Sequence, residues 1–260
     1  MRQEDLHVNA LTSYGLTWNV LDRGQGPDTL VFLPGTLGSV HIFQKQVEAF
    51  SQHSRVLVLG YLGSSELARM SDSFWNLLHL LDADATYLVG SSLGAYLLQH
   101  FTSESTRGVR GLLLGNTFVD SFRLRFLRMF EPAFIDEATP AEAKRSWLDF
   151  VGNLKSDALR STLLPMVRDE QSDVELHGRS RAIAHLGKVS LSALPPSRIG
   201  LLSCADDPVC NAETAAEVAA AYPGARHVRL AAGAHYPHVI NADEYNRALR
   251  ELFPSLAGAR

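Results

Sequence analysis

Cysteine is scarce in this chain. The two that occur, Cys204 and Cys210, sit in one short segment, so no disulfide framework is implied. Cys204 reads as a buried strand residue and Cys210 as a loop thiol. Basic runs are absent, and 24 Lys+Arg against 28 Asp+Glu give a formal net charge of −4. That balance leaves no electrostatic footprint for nucleic acid or an anionic membrane. No stretch approaches the ~20 apolar residues of a spanning helix. The opening MRQEDLHVNA lacks the apolar centre of a signal peptide, so the expectation is a cytoplasmic chain without a membrane span. No G-x-G-x-x-G follows the first strand-like run, and no His/Cys/Asp cluster has metal-ligand spacing. Neither a dinucleotide, another cofactor nor a metal is therefore expected.

What is present is an ordinary globular composition, 46% apolar over 260 residues, long enough for one large core. Near-continuous apolar runs recur at Leu30–Leu33, Arg55–Leu59, Thr86–Val89, Val109–Leu114 and Ile199–Leu202, with a weaker one at His227–Leu230. Such runs indicate strands buried on both faces of a parallel sheet. Ahead of them Leu16–Leu21 alternates and meets the turn Asp22-Arg-Gly-Gln-Gly-Pro, which reads as an antiparallel edge strand returning into Leu30.

Helical spacing separates the runs: Phe74, Leu77, Leu78 and Leu81 form one set, and Leu93, Leu97 and Phe101 another. Asn241 with Glu244 predicts a capping box before Tyr245, Leu249 and Phe253. This alternation implies an α/β fold with a mostly parallel sheet flanked by helices. From Val119 to Lys188 the alternation stops and only helical patterning remains. Thr139-Pro-Ala-Glu142 begins one helix there, with Trp147, Phe150, Val151 and Leu154 as its stripe. The expected organisation is a core of residues 1–118 and 189–260, with a helical cap, 119–188, inserted between two strands. Phe122, Phe126, Phe130 and Trp147 would give that cap an apolar face for an acyl or alcohol group.

The stretch YLVGSSLGAYL holds G-x-S-x-G with Ser92 at its centre. Alone the motif is a weak signal. Here a strand runs in and a helix runs out, the arrangement of a nucleophile elbow. Only Ser92 has glycine at both −2 and +2, which makes it the candidate nucleophile and Ser91 its bland neighbour.

A serine hydroxyl needs a base. Of ten histidines, His79 and His100 fall in helices, His53 in a turn, and His177 and His185 in the cap. His235 differs: in AAGAHYPH it follows the last strand, at the edge where open parallel sheets place their sites. Its rival His238, beyond Pro237, reads as the start of a helix. The base needs an acceptor, and LLSCADDPV ends a strand in two aspartates. Asp207 is the first candidate, with Asp206 and Asp120 as alternatives. An oxyanion hole needs two convergent N–H groups. Leu93, after the nucleophile, offers one. The loop Pro34-Gly-Thr-Leu-Gly38 offers the other, from Thr36 or alternatively Leu37.

Three segments, FLPGTLGS, VGSSLGAY and DDPVC…GAHYPH, together resemble the α/β-hydrolase superfamily, and the likeness runs from Leu16 to Phe253. The order Ser…Asp…His is the order of that superfamily. Two features depart from its usual pattern: Pro34-Gly35 replaces His-Gly, and GYLGSSEL replaces Asp-x-x-Gly-x-Gly-x-Ser. With LLLGNTFVDSF after the elbow helix, these departures resemble the maspardin branch, some of whose members lack the histidine and act as binding proteins.

The resemblance implies a serine hydrolase that cleaves a carboxylic ester or thioester through an acyl-enzyme. Its partner would be a small-molecule ester or acyl substrate, with Ser92, Asp207 and His235 as triad and Thr36 and Leu93 as oxyanion donors. A catalytically silent binding or adaptor protein and a C–C bond hydrolase using the same triad are the alternatives.

Overall fold

The apolar runs become the centre of one eight-stranded sheet. A computed structural model of the chain describes residues 7–61, 66–83 and 85–257. Of GYLGSSEL, residues 62–65 lie outside the described residues, as do residues 1–6 of the opening segment.

The chain begins with strands β1 (Val8–Ser13), β2 (Leu16–Arg23) and β3 (Thr29–Leu33), then helix α1 (Gln44–Phe50), strand β4 (Arg55–Tyr61) and helix α2 (Leu67–Leu80). Strand β5 (Thr86–Ser91), helix α3 (Leu93–Glu104) and strand β6 (Val109–Gly115) follow. Four helices come next: α4 (Pro132–Ile135), α5 (Pro140–Gly152), α6 (Asp157–Pro165) and α7 (Asp173–Leu186). The sheet resumes with β7 (Ile199–Cys204), α8 (Ala212–Ala221) and β8 (Arg226–Leu230), and the described chain closes with α9 (Pro237–Ile240) and α10 (Ala242–Leu252).

Strand order is β1-β2-β4-β3-β5-β6-β7-β8. The β1–β2 and β2–β4 pairs are antiparallel, and every later pair is parallel. Every residue of β5 is buried, as are four of five in β3, the signature of strands covered on both faces. The sheet and its flanking helices make one mostly parallel α/β layer structure.

Two local expectations change. The strand at Leu16 is antiparallel but not at the edge, and it pairs with β4 rather than with β3. The edge is β1, whose residues are mostly exposed and so carry no apolar run to read. Asn241 precedes α10 but makes no capping bond; its amide donates to Ala232 O at 2.7 Å and Glu244 Oε2 at 2.8 Å. By contrast Thr139 and Glu142 form the full reciprocal box at the start of α5.

The helical stretch leaves the sheet after β6 and returns before β7. Its two ends meet in a bridge between Asp120 and Lys188, with Val189 N donating to Val119 O at 2.9 Å. Its helices therefore stand on the edge of the sheet where β3, β5, β6, β7 and β8 all end.

Candidate active site

Ser92 occupies the turn between β5 and α3 with φ +54° and ψ −120°. A non-glycine residue there is strained by about 1–3 kcal/mol, which the surroundings must hold in place. They do: Ser92 N donates to Gly115 O at 2.9 Å, and Thr117 Oγ1 donates to Ser92 O at 2.9 Å. The flanking glycines leave no room for a side chain. A Cβ on Gly90 would lie 2.4 Å from Ala95 Cα, and one on Gly94 would lie 2.2 Å from Leu33 O. Two other non-glycine residues take positive φ at neighbouring strand ends, Asn116 after β6 and Ala234 after β8.

His235 follows Ala234 and is buried. Its Nδ1 lies 2.9 Å from Asp207 Oδ2 and 3.1 Å from Oδ1. An ionised carboxylate only accepts, so Nδ1 carries a proton, and in the neutral ring Nε2 is the nitrogen with the lone pair. Asp207 is buried after β7, where Oδ1 also accepts Val209 N at 2.8 Å and Cys210 N at 2.9 Å. Burial pushes its pKa up. The charge of His235 and these hydrogen bonds outweigh burial and hold the carboxyl below its ordinary value.

The other aspartates go elsewhere. Asp206 is exposed and accepts Gly233 N and Ala234 N. Asp120 accepts Phe122 N at 3.0 Å at the foot of the helical stretch.

Asn116 escapes sequence reasoning. Its Nδ2 donates to Asp207 Oδ2 at 2.7 Å and to Ala234 O at 2.9 Å, so one amide braces both the carboxylate and the residue before His235. Only its place after a strand in LLLGNTFVDSF could have drawn attention to it.

Ser92 and His235 face one cavity of about 20 Å³, whose wall also includes Gly35, Thr36, Leu37 and His238. That volume accommodates about one water. Among the described residues no hydrogen bond joins the Ser92 hydroxyl to the His235 ring. The Pro34–Gly38 loop comes close: a Cβ on Gly35 would lie 3.1 Å from Ser92 Cβ. Leu93 is the first residue of α3, where backbone N–H groups lack intrahelical partners. Phe130 and Trp147 line the cavity from the helical stretch. Phe122 and Phe126 do not; both are exposed, and Phe122 lies under the Arg125 guanidinium.

His238 starts the short helix α9, as its place after Pro237 predicts, and is fully buried. Burial and the nearby His235 lower its pKa to about 3, so at neutral pH it is an uncharged ring packed 4.6 Å from Phe43.

Asp207, Cys210 and His235 offer ligand atoms within 4.8 Å of one another, a grouping that sequence spacing does not reveal because two separate loops, after β7 and after β8, supply it. Its chemistry is poor for a cation. The carboxylate and Nδ1 satisfy each other, and burial drives the Cys210 thiol well above its ordinary pKa. Among the described residues, no helix is long and apolar enough to cross a membrane.

No family model matches the sequence. A maspardin from Danio rerio is 28% identical over 270 residues, covering 94% of this chain and 80% of the relative. Among solved structures, the enol-lactonase from Burkholderia xenovorans LB400 superposes with a TM-score of 0.76 at 18% identity, covering 95% of this chain and all of the other. A thermophilic esterase from Thermogutta terrifontis gives 0.75 at 16% identity, over 97% of this chain and all of the other. In fold this chain is an α/β-hydrolase, and its sequence is similar to that of the maspardins.

Proposed function

We propose that the chain is a serine hydrolase acting on a carboxylic ester or thioester, with residues 119–188 as a cap over the site. The observation that carries this reading is a buried His235, paired with Asp207, facing the same cavity as a strained Ser92. In the reaction Ser92 Oγ attacks the acyl carbon while His235 Nε2 takes its proton. The imidazolium so formed is stabilised by Asp207 through Nδ1. The carbonyl oxygen becomes an oxyanion held by Leu93 N and an N–H of the Thr36–Leu37 stretch. His235 then passes the proton to the leaving alkoxide or thiolate. Water, activated by the same ring, hydrolyses the acyl-enzyme and restores Ser92. An ester-hydrolase name on a structural neighbour is consistent with this chemistry.

The rival reading is a silent binding protein, favoured by the similarity to maspardin and by the small volume beside Ser92. Catalytic hydrogen bonds are commonly long before substrate arrives, so the Ser92–His235 spacing fits either reading. Labelling with a fluorophosphonate separates them. An active triad makes Ser92 the one serine modified, and His235→Ala reduces the rate severely while the fold persists. Slow labelling that ignores loss of His235 would establish the binding protein.

A further inference from the structure

Arg179 lies in the middle of α7, on the cap, yet it is 1% exposed. A guanidinium so deeply buried is costly unless its donors are satisfied. Its donors are satisfied by main-chain carbonyls at the site. Nε donates to Thr36 O at 2.6 Å, Nη1 to Tyr61 O at 2.9 Å and Nη2 to Leu37 O at 3.4 Å. Nη2 also donates to the side-chain oxygen of Gln171, just ahead of α7. The loop after β3, the end of β4 and the cap thus meet on one cation.

The loop is shaped to receive it. Gly38 has φ +69°, and a Cβ there would lie 3.0 Å from Arg179 Cζ, so only glycine lets the backbone lie against the guanidinium. One residue on, Ser39 Oγ donates to Glu170 Oε2 at 2.5 Å. Tyr61 Oη donates to Pro34 O at 2.9 Å, and Gly38 N donates to Gly35 O at 2.9 Å. A trans peptide points its C=O and N–H in opposite directions. Fixing Gly35 O therefore aims Thr36 N–H, and fixing Thr36 O aims Leu37 N–H. Both candidate oxyanion donors are oriented through carbonyls held from behind.

We infer that Arg179 is a positioning residue, carried on the cap, that locks the Thr36–Leu37 peptide, and with it the Leu37 N–H, in the orientation an oxyanion hole requires. The inference rests on the serine-hydrolase reading. It makes the donor geometry depend on the docked position of α7, so that the cap contributes to the chemical step as well as to substrate fit.

Arg179→Met and Arg179→Ala test it, assayed on p-nitrophenyl acetate and by the rate of fluorophosphonate labelling at Ser92. Loss of one oxyanion donor typically lowers kcat by about 10²–10³-fold. The expected result for Arg179→Met is a fall in kcat and labelling rate of about 10²-fold with KM changed less than about threefold. Millimolar guanidinium should restore part of the Arg179→Ala activity and leave the wild-type chain unaffected. A folded Arg179→Met with wild-type rates and only a lower Tm would make the residue a structural staple and overturn the inference. Should those variants not fold, Gln171→Leu removes one partner of Nη2 and is expected to lower kcat at least threefold with Tm nearly unchanged; wild-type kcat there overturns the inference equally. A wild-type chain that fails to label at Ser92 defeats the hydrolase reading itself, and that outcome is distinct from labelling that is insensitive to Arg179.

Discussion

Asn116 Nδ2 donates to Asp207 Oδ2 at 2.7 Å across the gap between two neighbouring strand ends. The same amide holds Ala234 O at 2.9 Å, one residue before His235. A hydrogen bond to a charged group is worth about 1.5–3 kcal/mol. Its loss leaves Asp207 freer to rotate away from Nδ1. Asn116→Ala is expected to lower kcat roughly tenfold or more, with KM little changed, in steady-state assays on an activated ester. A kcat equal to wild type in a folded variant would show that the backbone donors alone hold the carboxylate.

The three candidate aspartates part clearly in their surroundings. Only Asp207 contacts the His235 ring, whereas Asp206 braces the loop at Gly233 and Asp120 caps a turn. Asp207→Asn is expected to lower kcat by about 10⁴, because the amide offers no charge to the imidazolium and favours the wrong tautomer. Asp120→Asn should stay within about threefold of wild type, since its partner lies outside the cavity. A large loss in Asp120→Asn with Asp207→Asn near wild type would place the acid after β6 instead.

Much of this arrangement is legible in the sequence because it depends on local backbone chemistry. The glycines around Ser92 and the strand-end places of Gly35, Asp207 and His235 follow from spacing and strand pattern alone. What cannot be read are contacts made by strand order. Asn116 meets Asp207 only because β6 pairs with β7, and nothing near Asn116 in the chain says so. Arg179 resembles any solvent-facing arginine on a helix until the fold buries it against Thr36 O. Strand β1 escapes because its exposed residues need no apolar pattern. Phe122 and Phe126 mislead for the opposite reason: helical patterning counts apolar residues without showing which face they take.

His238 gives the fold a pH dependence separable from that of the Asp207–His235 pair. Both its ring nitrogens are buried without partners, within a box of Phe43, Tyr236 and Tyr245, with His235 as the nearby titratable charge. Its pKa is about 3 in the folded chain against 6.5 ordinarily. Between those values the unfolded chain binds a proton that the folded chain refuses, so stability falls as pH drops below 6.5. The slope approaches about 1.4 kcal/mol per pH unit. Asp207, whose pKa is depressed, adds its own loss only below the ordinary carboxyl range, as pH falls through the lower folded value. Urea titrations from pH 7 to pH 4.5 should show wild type losing on the order of 2 kcal/mol more than His238→Phe, whose ring fits the same aromatic box. Parallel curves for the two proteins would rule the burial account out.

Beside the cavity of about 20 Å³ lies a wider one of about 1090 Å³, bounded by α5, α6 and the loops after β7 and β8. Ser92 is on the wall of the small cavity only. Leu127, Met129 and Phe150 are on the walls of both, so they form the partition between them. Of the three, Phe150 is half-buried on α5 and carries the largest side chain, which makes it the simplest piece to remove. An ester with a long apolar group would place that group in the wide cavity and its carbonyl at Ser92, which requires the partition to move. Phe150→Ala should therefore raise kcat/KM for p-nitrophenyl octanoate about tenfold relative to p-nitrophenyl acetate, a shift of about 1.4 kcal/mol in relative transition-state binding. The removed ring also lies 6.0 Å from that of Trp147, so a modest fall in Tm is expected alongside. An unchanged octanoate-to-acetate ratio in a folded variant would mean that substrate reaches Ser92 by another path and that the wide cavity plays no part in recognition.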